Sequence, residues 1–236
     1  MKNKINYRVS FIALLTILSV AFWLYLYITK STTGYLNSLF SLAYAIIPVV
    51  GGLVGIVTGL KCLSTNKPTA LTIVSLSAGT LIWGVGQVLW GYYALFLNIE
   101  SPYPSVADAF FILGPPLWIL GLILFTRVIR LNLMVRNKAI QTFIFIIPFV
   151  ATGICAFITI RSGVASTHNL TKLFFDIAYP SLDLILLSMF LVINLLAFIE
   201  KEVPSKFKLP MFILTTGAVF EFIADIGLSY TSKSGT

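Results

Sequence analysis

Charge is scarce in this sequence. Aspartate, glutamate, lysine and arginine make up 10% of the 236 residues, against 58% hydrophobic, and mean hydropathy is +0.97. A soluble domain needs more polar surface than that to cover itself, so the composition points to a membrane protein. Cysteine is nearly missing: Cys62 and Cys155 stand apart. That excludes a disulfide framework and, with no CxxC or Cys/His cluster, a zinc site. Both read as free thiols packed as small hydrophobes. Histidine occurs once, at His168, where it offers at most a pH-responsive group in a loop. HExxH and GxSxG do not occur, so no hydrolytic motif is present and the chain reads as a non-enzyme with no metal and no cofactor. Strand-like alternation is missing too, which argues against a β-barrel.

What is there is apolar length. Seven runs of about 20 residues or more fall at roughly 10–29, 36–60, 69–97, 106–129, 139–160, 174–199 and 209–230, each enough to cross a bilayer. The first run ends in AFWLYLYITK rather than at a small-residue cleavage site, so it reads as a retained helix and not a signal peptide. The connections are short. The expectation is an all-α membrane protein, one integral domain over 1–236 built as a bundle of seven transmembrane helices, in the cell (plasma) membrane.

Net charge is +8, but the basic residues lie in short segments between apolar runs, the pattern of membrane loops rather than of a nucleic-acid surface. Lys2, Lys4, Arg8, Lys61, Lys67, Arg127, Arg130, Arg136, Lys138, Lys201, Lys206 and Lys208 fall on one side of the seven-span layout; Lys30, Arg161, Lys172 and Lys233 fall on the other. The bias predicts an inner N-terminus and an outer C-terminus. The triplet Asn169-Leu170-Thr171 is a sequon on the outer side, a pattern that chance often produces.

The eight acids are uneven. Glu200 and Glu202 accompany Lys201 in an inner loop; Glu100, Asp108, Asp176, Asp183, Glu221 and Asp225 all lie on or toward the outside. Asp176 and Asp183 are seven residues apart and Glu221 and Asp225 four, so each pair shares a helix face. At 1.5 Å per residue, Asp183 and Glu221 sit about 14 Å below the outer boundary. Carboxylates at that depth cost several kcal/mol against lipid, so they are expected to face the bundle interior or a wet cavity. With no Lys or Arg well inside these two spans, holding a proton or a bound cation would neutralise them. A purely structural alternative has each acid bonded to a neighbouring hydroxyl, with Tyr103, Tyr179, Ser181 and Tyr230 as available donors.

Pro115-Pro116, Pro148 and Pro180 lie inside spans, and each removes a helical hydrogen bond and leaves a carbonyl for other partners. Gly51, Gly55 and Gly59 recur every four residues, a stripe suited to close helix packing within the bundle or, alternatively, in a homodimer. In WGVGQVLWGYY, Trp83, Gln87 and Trp90 fall near one face. They read either as an interfacial aromatic belt or as a ring-lined pocket with Gln87 as its polar group.

Three stretches, WGVGQVLWGYYALFLNIESPYPSVADAFFILGPPLW, FFDIAYPSLDLILL and FIADIGLSYTSKSGT, together resemble the multi-span N-terminal membrane sensor domain of archaeal and bacterial signalling proteins, which is joined to histidine kinase, PAS or diguanylate cyclase modules. PYPSxAD, a Tyr-Pro-x-x-Asp in a later helix and an Asp opening the final outward segment carry the resemblance over about residues 80–236. The chain departs from that pattern at Pro115-Pro116, where Tyr-Pro is usual, and at Ala94, where an acid is common. Relatives of this kind run on past the final Gly-Thr to a cytoplasmic output domain, so the resemblance implies a truncated or stand-alone sensor.

The leading expectation is therefore a sensory or receptor-like membrane module with an acidic outer pocket that takes a small ligand, proton or cation. Its candidate residues are Asp108, Asp176, Asp183, Glu221, Asp225, Gln87 and Tyr179, and its partners are the lipid bilayer and a signalling partner or second copy. A proton- or cation-coupled small-solute transporter is the alternative, disfavoured because acids at one end give no path to the other. Intramembrane aspartyl chemistry at Asp183 and Asp225 stands third, without a supporting GxGD context. A retinal-binding seven-helix protein is excluded by the absence of a lysine deep in the last span.

Overall fold

The computed structural model describes residues 7–31, 34–99, 103–129, 170–199 and 204–234, with isolated positions between 142 and 157. The described residues form six helices: α1 (Tyr7–Ile28), α2 (Tyr35–Cys62), α3 (Lys67–Phe96), α4 (Val106–Val128), α5 (Leu170–Ile199) and α6 (Ser205–Ser234). No strand occurs among them. Helices α1 to α5 are each long and apolar enough to cross a membrane. The expected span at 139–160 lies largely outside the described residues; those described within it, such as Thr142, Ile146 and Val150, are helical and exposed.

Burial is low where the sequence is most apolar. Only 6% of the apolar window of α1 and 11% of that of α2 are buried by protein. Large exposed side chains such as Phe11, Ile17, Leu53 and Leu60 would form an aggregation-prone surface in water and a normal one in hydrocarbon. Hydroxyls inside the helices are satisfied at home. Thr58 donates to the Val54 carbonyl at 2.7 Å, Thr80 to Leu76 at 3.0 Å and Ser181 to Ile177 at 2.6 Å, so these O–H groups are bonded within their own helices.

The chain packs as two compact units, Met1–Leu117 and Trp118–Thr236, divided just after the double proline of α4. In the first unit α2 and α3 form a tight hairpin. Asn66 caps α3 by accepting from the Thr69 N–H at 3.2 Å, with Pro68 in the first turn. The two helices then meet backbone to backbone. A methyl group on Gly52 would lie 2.7 Å from the Leu81 backbone nitrogen, one on Gly59 would lie 2.7 Å from Val74, and one on Gly91 would lie 2.8 Å from the Leu42 Cα. Gly55 and Gly84 are equally tight. The glycine stripe thus serves packing inside the chain, with one correction. Gly51 has open space beside it, and Gly52 takes its place in the contact. Spacings of three and four follow a straight helix better than repeated fours.

The second unit is built on an apolar cluster of Leu122, Ile129, Leu186, Phe190, Ile193, Leu196, Ala197 and Met211. Phe207 of α6 packs edge-on against Phe125 at 5.8 Å. Beyond the prolines read from the sequence, Pro48 lies inside α2 and Pro210 inside α6; Pro148 lies outside the described residues.

Candidate functional site

Asp108 is 2% exposed, and its position follows from PSVAD. Ser105 precedes the first residue of α4 and Asp108 is the third residue inside it. The Asp108 Oδ2 accepts from the Ser105 backbone N–H at 2.5 Å and from the Ser105 hydroxyl at 2.8 Å, while the Asp108 N–H donates to the Ser105 carbonyl at 3.2 Å. This is one half of a capping box: the acid in the first turn accepts from the Ser105 N–H and sits at the positive end of the helix dipole, while the Ser105 hydroxyl donates to the same carboxylate. The Tyr103–Pro104 peptide just before it is cis.

The aromatic face of α3 belongs to the same unit. Trp83 and Trp90 both pack on Phe111 of α4, with ring centroids 5.8 and 5.7 Å apart, and Phe111 is 8% exposed. A ring of α4 therefore fills the space that the sequence leaves as a pocket. Gly86 allows the approach, since a Cβ there would lie 2.8 Å from the Phe111 ring. Gln87 lies between the two tryptophans in sequence and is half-buried. The Trp90 indole N–H is buried with no hydrogen-bond partner among the described residues. The ring contacts continue from Trp83 through Tyr44 and Phe40 to Phe22 of α1.

The second unit holds the deep acids. Asp176, Asp183, Phe190 and Ala197 follow one another at intervals of seven along α5. Phe190 and Ala197 belong to the buried core, 8% and 1% exposed, so the two aspartates prolong the core-facing line of the helix. Both are half-buried, and each keeps its Oδ2 out of solvent. Pro180 stands between them and has no N–H for the Asp176 carbonyl, which would accept that bond in an unbroken helix. One turn of α5 thus carries a carboxylate and a main-chain carbonyl released by proline. Tyr179 stacks on Phe175 at 6.0 Å in the same turn.

Glu221 is half-buried in α6. Asp225 lies in the same helix four residues on, and its side chain is outside the described residues. The candidates therefore divide between the units: Gln87 and Asp108 in the first, Asp176, Tyr179, Asp183, Glu221 and Asp225 in the second. Among the described residues no group of three His, Cys, Asp or Glu is placed to hold a metal ion.

One polar centre escapes a reading that takes charge as its signal. Asn194, in the apolar run FLVINLLAF, is 9% exposed. Its amide nitrogen donates to the Phe190 carbonyl at 3.1 Å, to the Met211 carbonyl at 3.1 Å and to the Thr215 hydroxyl, which itself donates to Met211 at 3.0 Å. Asn194 Oδ1 is buried with no partner among the described residues. A buried Asn that bonds across two helices is strong glue in a membrane, and an uncharged amide inside a span is its sequence signal.

No family model, no curated protein and no solved structure matches the chain.

Proposed function

We propose that the chain is a sensory or receptor-like module of the cell membrane whose responsive element is the acid-bearing face of α5. The observation that carries this reading is the pair Asp176 and Asp183, each with an oxygen withdrawn from solvent, on the core-facing line of an apolar helix that Pro180 interrupts. A carboxyl group in such surroundings changes state by taking up a proton or binding a cation, and either event changes the charge inside the helix pair. The resemblance to membrane sensor domains of signalling proteins supports the same class.

In this proposal the bundle has seven spans, counting the run at 139–160, with the N-terminus inside and the C-terminus outside, as the basic loops require. Asp176 and Asp183 then lie toward the outer face. Asp108 is assigned a capping role and leaves the responsive set. The module works with a signalling partner, as a non-enzyme.

The test is acidification of the protein in liposomes from about pH 7 to about pH 5, followed by tryptophan emission. The reading expects a reversible change in the parent that is lost in the Asp176→Asn/Asp183→Asn variant, which inserts and folds as the parent does. A double variant that responds fully would contradict it.

A further inference from the structure

We propose that Asn194 is a positioning residue: its bonds to Met211 and Thr215 set the register of α5 against α6 and thereby bring Asp183 level with position 225. The inference rests on the reading of Asp183 as a responsive group for its functional meaning, while its geometry stands alone.

Helices α5 and α6 are joined by a connection of only a few residues between Ile199 and Ser205, so they run antiparallel. Asn194 lies opposite the segment between Met211 and Thr215. In an antiparallel pair, each step back along α5 is matched by a step forward along α6. Eleven steps back from Asn194 is Asp183, and eleven forward from 211–215 is 222–226. Position 225 falls in that window. Position 225 follows Met211 and Ala218 at intervals of seven along α6, and Met211 and Ala218 both pack on the α5 core.

Apolar contacts do not fix such a register by themselves. Leu186, Phe190, Ile193 and Ala197 would find apolar neighbours again if α6 slid by one turn, about 5.4 Å. The Asn194 amide would not, because in that slip Met211 or Val219 takes the place of Thr215 and its hydroxyl. A single buried Asn sets register in this way when its bonds form in one alignment only. Asn194 is nine-tenths buried among Phe190, Ile193, Ala197 and Met211, where a lost bond is not replaced by water.

The test is cross-linking. In a Cys62→Ser/Cys155→Ser background, Asp183→Cys is combined in turn with Glu221→Cys, Asp225→Cys and Ser229→Cys, and the three chains are oxidised in membranes. The 183–225 pair is expected to give the highest intramolecular yield, several-fold above the other two. Adding Asn194→Val is expected to erase that preference, and Thr215→Ser, which retains the hydroxyl, to keep it. A parent that links best to 221 or 229 overturns the alignment, and that result is obtained without any Asn194 variant. An Asn194→Val chain with an unchanged pattern overturns the positioning role. Neither outcome bears on the acid response, because the cross-linked chains lack Asp183 by construction.

Discussion

Two helix hairpins in this molecule are held in opposite ways. α2 and α3 meet through glycines, with the backbone of one against the backbone or Cβ of the other. α5 and α6 meet through full-sized side chains, with one amide bonding across at Asn194. Glycine contact is steric and has a single state, because a helix with no side chain in the way cannot loosen without losing its dispersion contacts. The α5–α6 contact contains hydrogen-bonding groups, Asn194 and Thr215, and α5 carries Asp176 and Asp183 on the same line as its core residues. Under the proposed function the first hairpin is the scaffold and the second holds the responsive element.

The largest effect that would break this contrast is expected at Gly52. Its missing side chain is replaced by Leu81 backbone at 2.7 to 2.8 Å, so Gly52→Val must push two main chains apart. A loss of about 3 kcal/mol is expected, the upper end of overpacking effects, read as a lowered unfolding midpoint in detergent. The neighbouring Gly51, with nothing within 4 Å, provides the sharpest control. Gly51→Ala is expected to stabilise by about 0.5–1 kcal/mol through helix propensity alone.

In the other hairpin, Asn194→Val removes bonds worth about 1–2 kcal/mol in total at membrane strength, and the same unfolding assay reads it. Asp108→Ala is smaller, about 1 kcal/mol, because it removes one helix cap. Its effect is expected on stability and not on the response to acid. An Asp108→Ala chain of parental stability that no longer responds to acid would restore Asp108 to the responsive set.

Much of the fold was legible in the apolar runs. The expected spans 36–60, 69–97 and 106–129 match α2, α3 and α4 to within two residues at each end. For α3 and α4 the apolar run begins beside a cap, at Asn66 and Ser105, so two signals agree. The later helices were underestimated. α5 begins at Leu170 rather than 174, and α6 runs from Ser205 to Ser234 rather than over 209–230. Hydropathy marks where side chains turn polar, whereas a helix stops where its backbone bonds stop. Charge in an apolar span marks Asp108, Asp176 and Asp183 alike. The capping bonds of Asp108 to Ser105 are a contact that this signal does not foretell. The ring-lined pocket of Trp83 and Trp90 could not be told from a packed contact, because the sequence does not say that Phe111 fills it.

The central claim is that the carboxyl groups of α5 change state inside the helix pair. Infrared difference spectroscopy of the liposome-reconstituted protein, recorded as the pH is lowered, follows protonated carboxyl groups directly. The account predicts a carboxyl C=O band that grows on acidification in the parent, shrinks in Asp183→Asn and is lost in Asp176→Asn/Asp183→Asn, while Asp108→Asn leaves it in place. A band of parental size in the double variant would contradict it.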